Sequence, residues 1–459
     1  MKPLYPVICA VAFTLAPASP LSVQDRSARL EDYLNAATAL GRFSGSVLVA
    51  QNGTAVVRRG YGMANLELES PNKPETKFRI GSVTKPFTAT AIMILEERGR
   101  LRVSDPVCKY LDDCPPTWRD ISLHHLLSHT SGIPNYAGFP DYVTLMREQT
   151  DVPRLIARFR DKPLDFPPGS DYRYSNSGYI LLGHVIERVS GQGYGLFVRA
   201  AILQPLGMAN TGYDMPTRVL AGRASGYSRV GDTVINAPFI AMSTVHSAGA
   251  LFSTVDDLYA FDQALRADKL LTAASRATMF TPGRNGSGYG WGIEQQFGRR
   301  HVAHNGQVNG FTSILSRYPD DGVTIIVLTN SDQTVPGIDR VARDLAAIVF
   351  GAPYDLPRRP PVVNVDARLL AEYVGEYELA PNYIVTIARN PTGLTVQLTG
   401  SAPYEMRAES DATFAVDVVD ARISFVRESG VVTHLILHKG ADQKARKVRR
   451  DSATWAPLG

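Results

Sequence analysis

Alternating apolar and polar positions predict where the chain forms strands. Gly45 to Val49 leads into an Asn52-Gly53 pair followed by Thr54 to Arg58, and this arrangement is typical of a two-residue β-hairpin. Much later, Phe311 to Tyr318 and Val323 to Thr329 form a second pair of strand-like runs around a short polar turn. We expect strands from both regions to share one antiparallel sheet.

The region between these strands has helical periodicity. The apolar positions of its first predicted helix, which stops at Gly99, share one face: Phe87, Ala91, Ile94 and Leu95. Two further helices are predicted at Gly178 to Val189 and at Val255 to Leu265. Runs of strands and helices that do not alternate predict an α+β fold rather than a parallel βαβ series.

The pattern changes again after residue 352. The segment 353–362 contains Asp-Leu-Pro-Arg-Arg-Pro-Pro, which is too rich in proline for a helix or a central strand and is therefore a predicted linker. Short alternating runs then recur over 363–459, and they predict a second, small all-β domain built as a barrel or a sandwich. These runs are Tyr383–Ala388, Leu394–Leu398, Phe414–Val418, Ile423–Val426 and Val432–Leu437.

Composition agrees with a chain of more than one globular domain. The protein has 459 residues, of which 44% are hydrophobic and 20% charged, so it can bury at least one large core. The formal net charge is +4 and the basic residues are scattered, apart from a cluster at Lys444 to Arg450. We interpret that cluster as a solvated strand end and expect no nucleic-acid partner.

The first 18 residues have the features of an export signal. Lys2 precedes an apolar run that ends in Ala16-Pro17-Ala18, the small-x-small pattern of a signal-peptidase site. We expect a cleaved signal peptide over 1–18, a secreted or periplasmic protein, and no stable membrane span after cleavage. Cleavage removes Cys9 and leaves Cys108 and Cys114, which form either a local disulfide or two free thiols.

Ser82-Val83-Thr84-Lys85 at the start of the first predicted helix is the candidate nucleophilic site. Residues three apart on a helix lie on one face, so the Lys85 amine can approach the Ser82 hydroxyl. The positive end of the helix dipole favours a developing oxyanion and a lowered lysine pKa. Because serine and lysine are common, this motif by itself also fits an ordinary helix start.

Tyr174-Ser175-Asn176 precedes the second predicted helix. In an extended segment residues i and i+2 project to the same side, so a phenol and a carboxamide can face one pocket. A charged Lys85 beside Tyr174 favours the phenolate, which can relay the serine proton. Asn176 can both donate to and accept from a substrate amide.

His304-Asn305-Gly306-Gln307 is the third candidate element. Gly306 allows a substrate to approach the strand backbone, and the N–H of Gln307 can point at an oxyanion. His304 is expected to form a polar or cationic wall.

In this order, Ser82-x-x-Lys85, Tyr174-x-Asn176 and His304-x-Gly306 make the chain resemble the class C β-lactamase and penicillin-binding-protein superfamily. Three family-like stretches reinforce the resemblance: Leu126–Gly132, Pro205–Met208 and Ser247–Gly249. It implies a serine hydrolase domain over 25–352, with an antiparallel sheet, flanking helices and a helical subdomain. The small domain that follows, 363–459, resembles the lipocalin-like domains of some of these hydrolases.

The resemblance also implies residue roles and no cofactor. Ser82 is acylated, Lys85 and Tyr174 move its proton, and Asn176, His304, Gly306 and Gln307 bind substrate, with the N–H groups of Ser82 and Gln307 as the oxyanion hole. The implied substrate is a small molecule or peptide, with cell-wall fragments among the candidates: an ester, a D-amino-acid peptide (as for a carboxypeptidase) or a β-lactam. Class C lactamases have Lys-Thr-Gly where this chain has His304-Asn305-Gly306, which favours esterase or D-peptidase activity over efficient lactamase activity.

Other classes of function fit the sequence less well. His124, His125 and His129 are clustered, but residue 126 is leucine where a zinc protease motif has glutamate, so we expect no metal site and interpret the three histidines as structural. Ser82 lacks the Gly-x-Ser-x-Gly elbow of α/β-hydrolases. The remaining alternative is a noncatalytic protein of the same fold that binds peptidoglycan or peptide.

Overall fold

The computed structural model describes residues 23–448, with gaps at 231–232, 359–362, 381–382, 392, 400, 402, 420 and 440. The predicted signal peptide, the last four residues of the predicted linker and the last two residues of the basic cluster lie outside the described residues.

A six-stranded antiparallel sheet forms the centre of the larger domain. The predicted N-terminal hairpin is present, and its first strand pairs with the late strand Val323–Thr329, with Gly45 opposite Thr329. The expectation that both ends of the domain share one sheet is therefore confirmed. In order across the sheet, the strands are Gly292–Gln296, Arg299–Val308, Phe311–Tyr318, Val323–Thr329, Gly45–Gln51 and Thr54–Tyr61.

Each face of this sheet packs against helices, because alternate side chains of the strands point in opposite directions. Val47 and Val49 pack with the helices Val23–Ala39 and Ile338–Phe350. Leu48, between them in sequence, packs into the larger core on the opposite face. That second core contains the long helical region of the middle of the chain.

The helix Thr84–Glu97 is almost entirely buried, since residues 84–95 all lie in the interior. Burial on every side places this helix between the sheet and the other helices, so its first turn is held rigidly. The other helices are Leu123–Leu127, Tyr142–Leu145, Val152–Arg160, Asn176–Ser190, Tyr194–Val198 with a π-helical turn at Arg199–Leu203, His246–Gly249, Val255–Arg266 and Ala273–Met279. Short strands lie at Met63–Asn65, Ser70–Pro71, Phe78–Arg79, Gly212–Tyr213, Tyr227–Val230, Thr233–Asn236 and Leu251–Ser253.

Cys108 and Cys114 form a disulfide, with their Cα atoms 5.3 Å apart, so the local-disulfide alternative is the one the structure contains. None of the helices within the described ranges combines the length and the apolar character needed to cross a membrane.

The C-terminal domain is a closed barrel of eight antiparallel strands, preceded by the helix Ala367–Tyr373. All five predicted strands are present, and closure into a barrel decides between the two predicted architectures. The strands are Gly375–Ala380, Tyr383–Asn390, Gly393–Leu398, Tyr404–Ala408, Thr413–Val416, Ala421–Glu428, Val431–Lys439 and Ala441–Val448. The described part of the basic cluster, 444–448, belongs to the last of these, which closes the barrel by pairing with the first.

The barrel contacts the larger domain close to the end of the central sheet. The N–H of Gly337 donates to the carbonyl of Asp417 at 2.9 Å. A Cβ added at Gly337 would lie 2.3 Å from the carbonyl oxygen of Val418, so only glycine permits this approach. The hydroxyl of Tyr404 on the barrel donates to the side chain of Gln307 at 2.9 Å, which brings the barrel to one of the predicted site residues.

Candidate active site

Ser82 lies in a tight 3₁₀ turn, Gly81–Val83, that continues directly into the helix Thr84–Glu97. The sequence placed Ser82 on the helix itself; the structure places it just before the helix and Lys85 in the first α-helical turn. Gly81 has φ +48°, a left-handed conformation that glycine adopts readily. The predicted approach is present, since Lys85 Nζ lies 3.0 Å from Ser82 Oγ.

Lys85 is buried and surrounded by hydrogen-bonding oxygens. Besides Ser82 Oγ, its Nζ contacts Asn176 Oδ1 at 2.8 Å and the carbonyl of Ala248 at 2.9 Å. Burial lowers the pKa of Lys85 well below its usual value, which favours the neutral amine. A neutral amine has two N–H donors and one lone pair. If the two carbonyl oxygens accept both N–H groups, the lone pair is left for the Ser82 hydroxyl, which is the arrangement of a general base.

Tyr174 is half-buried beside Lys85, whose Nζ lies 4.7 Å from the centre of the phenol ring. Burial raises the pKa of Tyr174 above its usual value, although the neighbouring Ser82 hydroxyl opposes this. The predicted phenolate depends on a charged Lys85, and burial works against both charged forms. Desolvation therefore favours an amine base beside a phenolic proton donor.

Asn176 is the first residue of the helix Asn176–Ser190, not part of the extended segment before it. Ser175 is extended, so the chain turns from strand-like to helical between the two predicted side chains. The Asn176 carboxamide oxygen contacts Lys85, and its backbone N–H is donated to Asn135 Oδ1 at 3.2 Å. Asn176 therefore orients the lysine amine, and its NH₂ group is the part that can meet a substrate.

The third element lies on the strand Arg299–Val308, which passes directly alongside Ser82. A Cβ added at Gly306 would lie 2.1 Å from the carbonyl oxygen of Ile80 and 2.9 Å from the Ser82 nitrogen. The strand and the Ser82 turn can approach this closely only because residue 306 has no side chain.

The same contact brings the predicted oxyanion-hole donors together. A Cβ added at Gly81 would lie 2.8 Å from the Gln307 nitrogen, so this nitrogen adjoins the Ser82 turn. Val308 and Phe311 flank a two-residue turn, and Gln307 faces Thr312 as the next pair. Because hydrogen-bonded and non-bonded pairs alternate along antiparallel strands, the Gln307 N–H is directed away from Thr312 and toward Ser82.

His304 faces Tyr174, with the two ring centres 6.2 Å apart. Burial, and then the nearby Lys85, lower the pKa of His304 to about 3. The cationic alternative for this wall is therefore wrong, and His304 is a neutral imidazole whose Nδ1 lies 2.5 Å from the carbonyl oxygen of Asn305.

Three parts of the site were not identified from the sequence. His129 contacts Tyr174 in a tilted arrangement with ring centres 4.5 Å apart, and its Nδ1 accepts from the N–H of Ser175 at 3.2 Å. This histidine therefore supports the site, although the sequence suggested an ordinary structural role. The Ala248 carbonyl and Tyr404 are the other two. His129 and Ala248 each had a signal, because they lie in the family-like stretches Leu126–Gly132 and Ser247–Gly249, whereas Tyr404 had none.

No cluster of metal-ligating side chains is present among the residues that the structure describes. His124 contacts the Tyr289 hydroxyl at 2.7 Å, and His125 forms a capping box with Ser122. Both histidines thus have structural contacts of the kind expected.

Comparison with known proteins agrees with this geometry. Penicillin-binding protein 4* of Bacillus subtilis (strain 168) is 29% identical over 438 residues, covering 89% of this chain and 96% of that protein. The octameric penicillin-binding protein homologue from Pyrococcus abyssi superposes with a TM-score of 0.66 at 25% identity, covering 91% of this chain and 99% of that one. A D-stereospecific amidohydrolase from Streptomyces sp. superposes with a TM-score of 0.56 at 26% identity, covering 67% of this chain and 94% of that one.

Family models divide the chain into the same two parts as the fold. Residues 359–450 match a domain of unknown function, DUF3471. Residues 29–349 match the family described as Beta-lactamase, and they carry every predicted site residue. This chain therefore belongs to the beta-lactamase family, whose serine β-lactamase and penicillin-binding-protein-like fold it has, and this membership supports serine hydrolase activity.

Proposed function

We propose that this protein is a serine hydrolase that cleaves amide or ester bonds of small substrates through an acyl-enzyme at Ser82, with D-amino-acid amides and short D-peptides as the foremost class. The observation that carries the proposal is the environment of Lys85. Its buried amine has carbonyl oxygens for both N–H groups and lies 3.0 Å from the Ser82 hydroxyl.

Acylation begins with transfer of the Ser82 proton to the Lys85 lone pair. Ser82 Oγ attacks the substrate carbonyl carbon, and the carbonyl oxygen becomes an oxyanion between the N–H groups of Ser82 and Gln307. Backbone donors placed in this way typically contribute about 10²–10³ in rate each. The dipole of the helix Thr84–Glu97 acts in the same direction.

The tetrahedral intermediate collapses when its leaving group is protonated. The Tyr174 phenol donates a proton to the departing nitrogen or oxygen and recovers one from the Lys85 ammonium. The bond from the carbonyl carbon to the leaving group breaks, and the acyl group remains on Ser82. Water then attacks the ester with the proton transfers reversed, which releases the acid and restores Ser82.

The substrate class follows from the wall opposite Tyr174. A neutral His304 is a weaker partner for a carboxylate than the lysine that class C lactamases have at this place. Amides, esters and aminopeptidase-type substrates need no carboxylate there, whereas β-lactams and carboxypeptidase substrates carry one. The likeness to a D-stereospecific amidohydrolase supports the same choice. Export through the N-terminal signal, also a proposal, would bring the enzyme to peptides released from cell walls.

The first test is active-site labelling of the protein without residues 1–18. Intact mass is measured after incubation with a fluorophosphonate, for the native sequence and for Ser82→Ala. One adduct on the native protein and none on the variant is expected. If neither folded protein is labelled, and an activated ester and a penicillin also leave both unmodified, the acyl-enzyme proposal is overturned in favour of the noncatalytic binding protein.

The second test compares substrates. We expect D-alanine p-nitroanilide and p-nitrophenyl acetate to be turned over with a higher kcat/KM than N-acyl-D-Ala-D-Ala or a chromogenic cephalosporin. His304→Lys should raise the relative rate on the two carboxylate-bearing substrates. A native enzyme that prefers the cephalosporin would refute the assigned substrate class while leaving Ser82 as the nucleophile.

A further inference from the structure

A cavity of about 720 Å³ adjoins the active site. Its volume is within the range of about 300–1,000 Å³ that is usual for small-molecule sites. Neither Ser82, Lys85 nor Tyr174 lines it, so it is separate from the acylation cleft. The two sites share a wall: His246 lines the cavity, and Ala248, two residues further along, accepts a hydrogen bond from Lys85.

Much of the cavity is apolar, and part of its apolar surface is open to water. Met208 and Leu203 are buried in its wall, whereas Leu196 is 63% exposed and Met215 is 51% exposed. Large apolar side chains around a concave surface favour a ligand with an apolar body.

The charged groups of the cavity favour an anionic head. Arg199 and Arg218 both line it, and within the described ranges neither guanidinium has a carboxylate at ion-pair distance. The acid of the cavity wall is Glu187, one of whose oxygens accepts the N–H of Tyr194 at 2.9 Å. Burial raises the pKa of Glu187, which favours its protonated form and weakens its repulsion of an anion.

His246 adds a buried polar atom without a partner. Its Nδ1 lies 3.0 Å from the Tyr213 hydroxyl, whereas Nε2 is buried, has no hydrogen-bond partner and lies 3.6 Å from Glu187. Burial lowers the pKa of His246 to about 4, so the ring is neutral. When Tyr213 donates to Nδ1, the ring proton is on Nε2, and this N–H is a buried donor without an acceptor.

We infer that this cavity is a second binding site, for an amphipathic carboxylate with an unbranched acyl chain. The chain would pack against the apolar wall, and the carboxylate would accept from Arg199, Arg218 and the imidazole N–H of His246. The site is independent of the proposed hydrolysis at Ser82.

The test is calorimetric titration of decanoate into the full folded chain carrying Ser82→Ala, so that its outcome does not depend on catalysis. We expect one saturable site. Decan-1-ol, which lacks the charge, and the double variant Arg199→Ala/Arg218→Ala should each show affinity lower by about tenfold or more. Arg119→Ala, an exposed arginine outside the cavity, is the matched control and should bind as the parent does.

A blocking variant separates this cavity from the acylation cleft. Ala209 is exposed and lines the cavity, so Ala209→Trp obstructs it without entering the core, and Leu196→Trp is the second such variant. Both should abolish decanoate binding while their circular dichroism and melting temperature stay as in the parent. Absence of binding to the parent, unchanged binding in both folded tryptophan variants, or equally tight binding of decyltrimethylammonium would each overturn the inference.

Discussion

Replacement of Lys85 by methionine tests the neutral-amine base directly. Methionine fills much of the same apolar channel but has neither the lone pair that faces Ser82 nor the N–H groups that meet Asn176 and Ala248. Loss of a positioned general base costs about 10²–10⁴ in rate. We therefore expect fluorophosphonate labelling of Ser82, followed by intact mass, to slow by at least about a hundredfold.

The same variant makes a prediction about stability and pH. Burial lowers the pKa of Lys85 from its usual 10.5 in the folded state. At pH values between the lowered pKa and 10.5, the unfolded chain therefore binds the proton that the folded chain has lost, and stability rises with pH. One group contributes at most about 1.4 kcal/mol per pH unit to this slope.

Denaturant unfolding at several pH values, for the native sequence and Lys85→Met, measures that contribution. The native protein should gain free energy of unfolding relative to the variant as the pH rises, and lose it as the pH falls toward the folded-state pKa. The unpaired acceptors left by methionine cost about 1–3 kcal/mol each, which offsets the gain from removing a buried lysine. Labelling within tenfold of the native rate, or parallel pH profiles of stability, would refute a neutral Lys85 as base.

Three further substitutions examine the rest of the site. Tyr174→Phe should lower kcat by about 10²–10⁴ without changing the melting temperature, and an unchanged kcat would remove the phenol from proton transfer. Gly306→Ala places a Cβ 2.1 Å from the carbonyl oxygen of Ile80, so phosphonate labelling should be almost lost; labelling at the native rate would contradict the close approach of strand and turn. Tyr404→Phe removes the 2.9 Å hydrogen bond to Gln307, worth about 1 kcal/mol, and should lower kcat/KM about fivefold; an unchanged kcat/KM would show that the barrel does not position Gln307.

Much of the fold could be predicted because its signals are local. The strands of the central sheet alternate or form apolar runs between clear turns, and the Ser82 to Lys85 spacing acts within a single helical turn. The barrel strands that were missed, Gly375–Ala380, Tyr404–Ala408 and Ala441–Val448, have few buried apolar residues each. Such strands are specified by pairing with their neighbours, which a periodicity argument cannot detect.

What the sequence by itself determined was which chemical groups are present and in which order: a serine with a lysine one turn away, a tyrosine with an asparagine two residues on, and a glycine-containing strand. Only the tertiary structure decided which charge states are favoured. Packing from distant segments lowers the pKa of Lys85 and of His304 and raises that of Tyr174, which favours the uncharged form of all three. The Ala248 carbonyl and Tyr404 likewise reach the site through long-range folding, since desolvation and contact depend on the whole chain rather than on neighbouring residues.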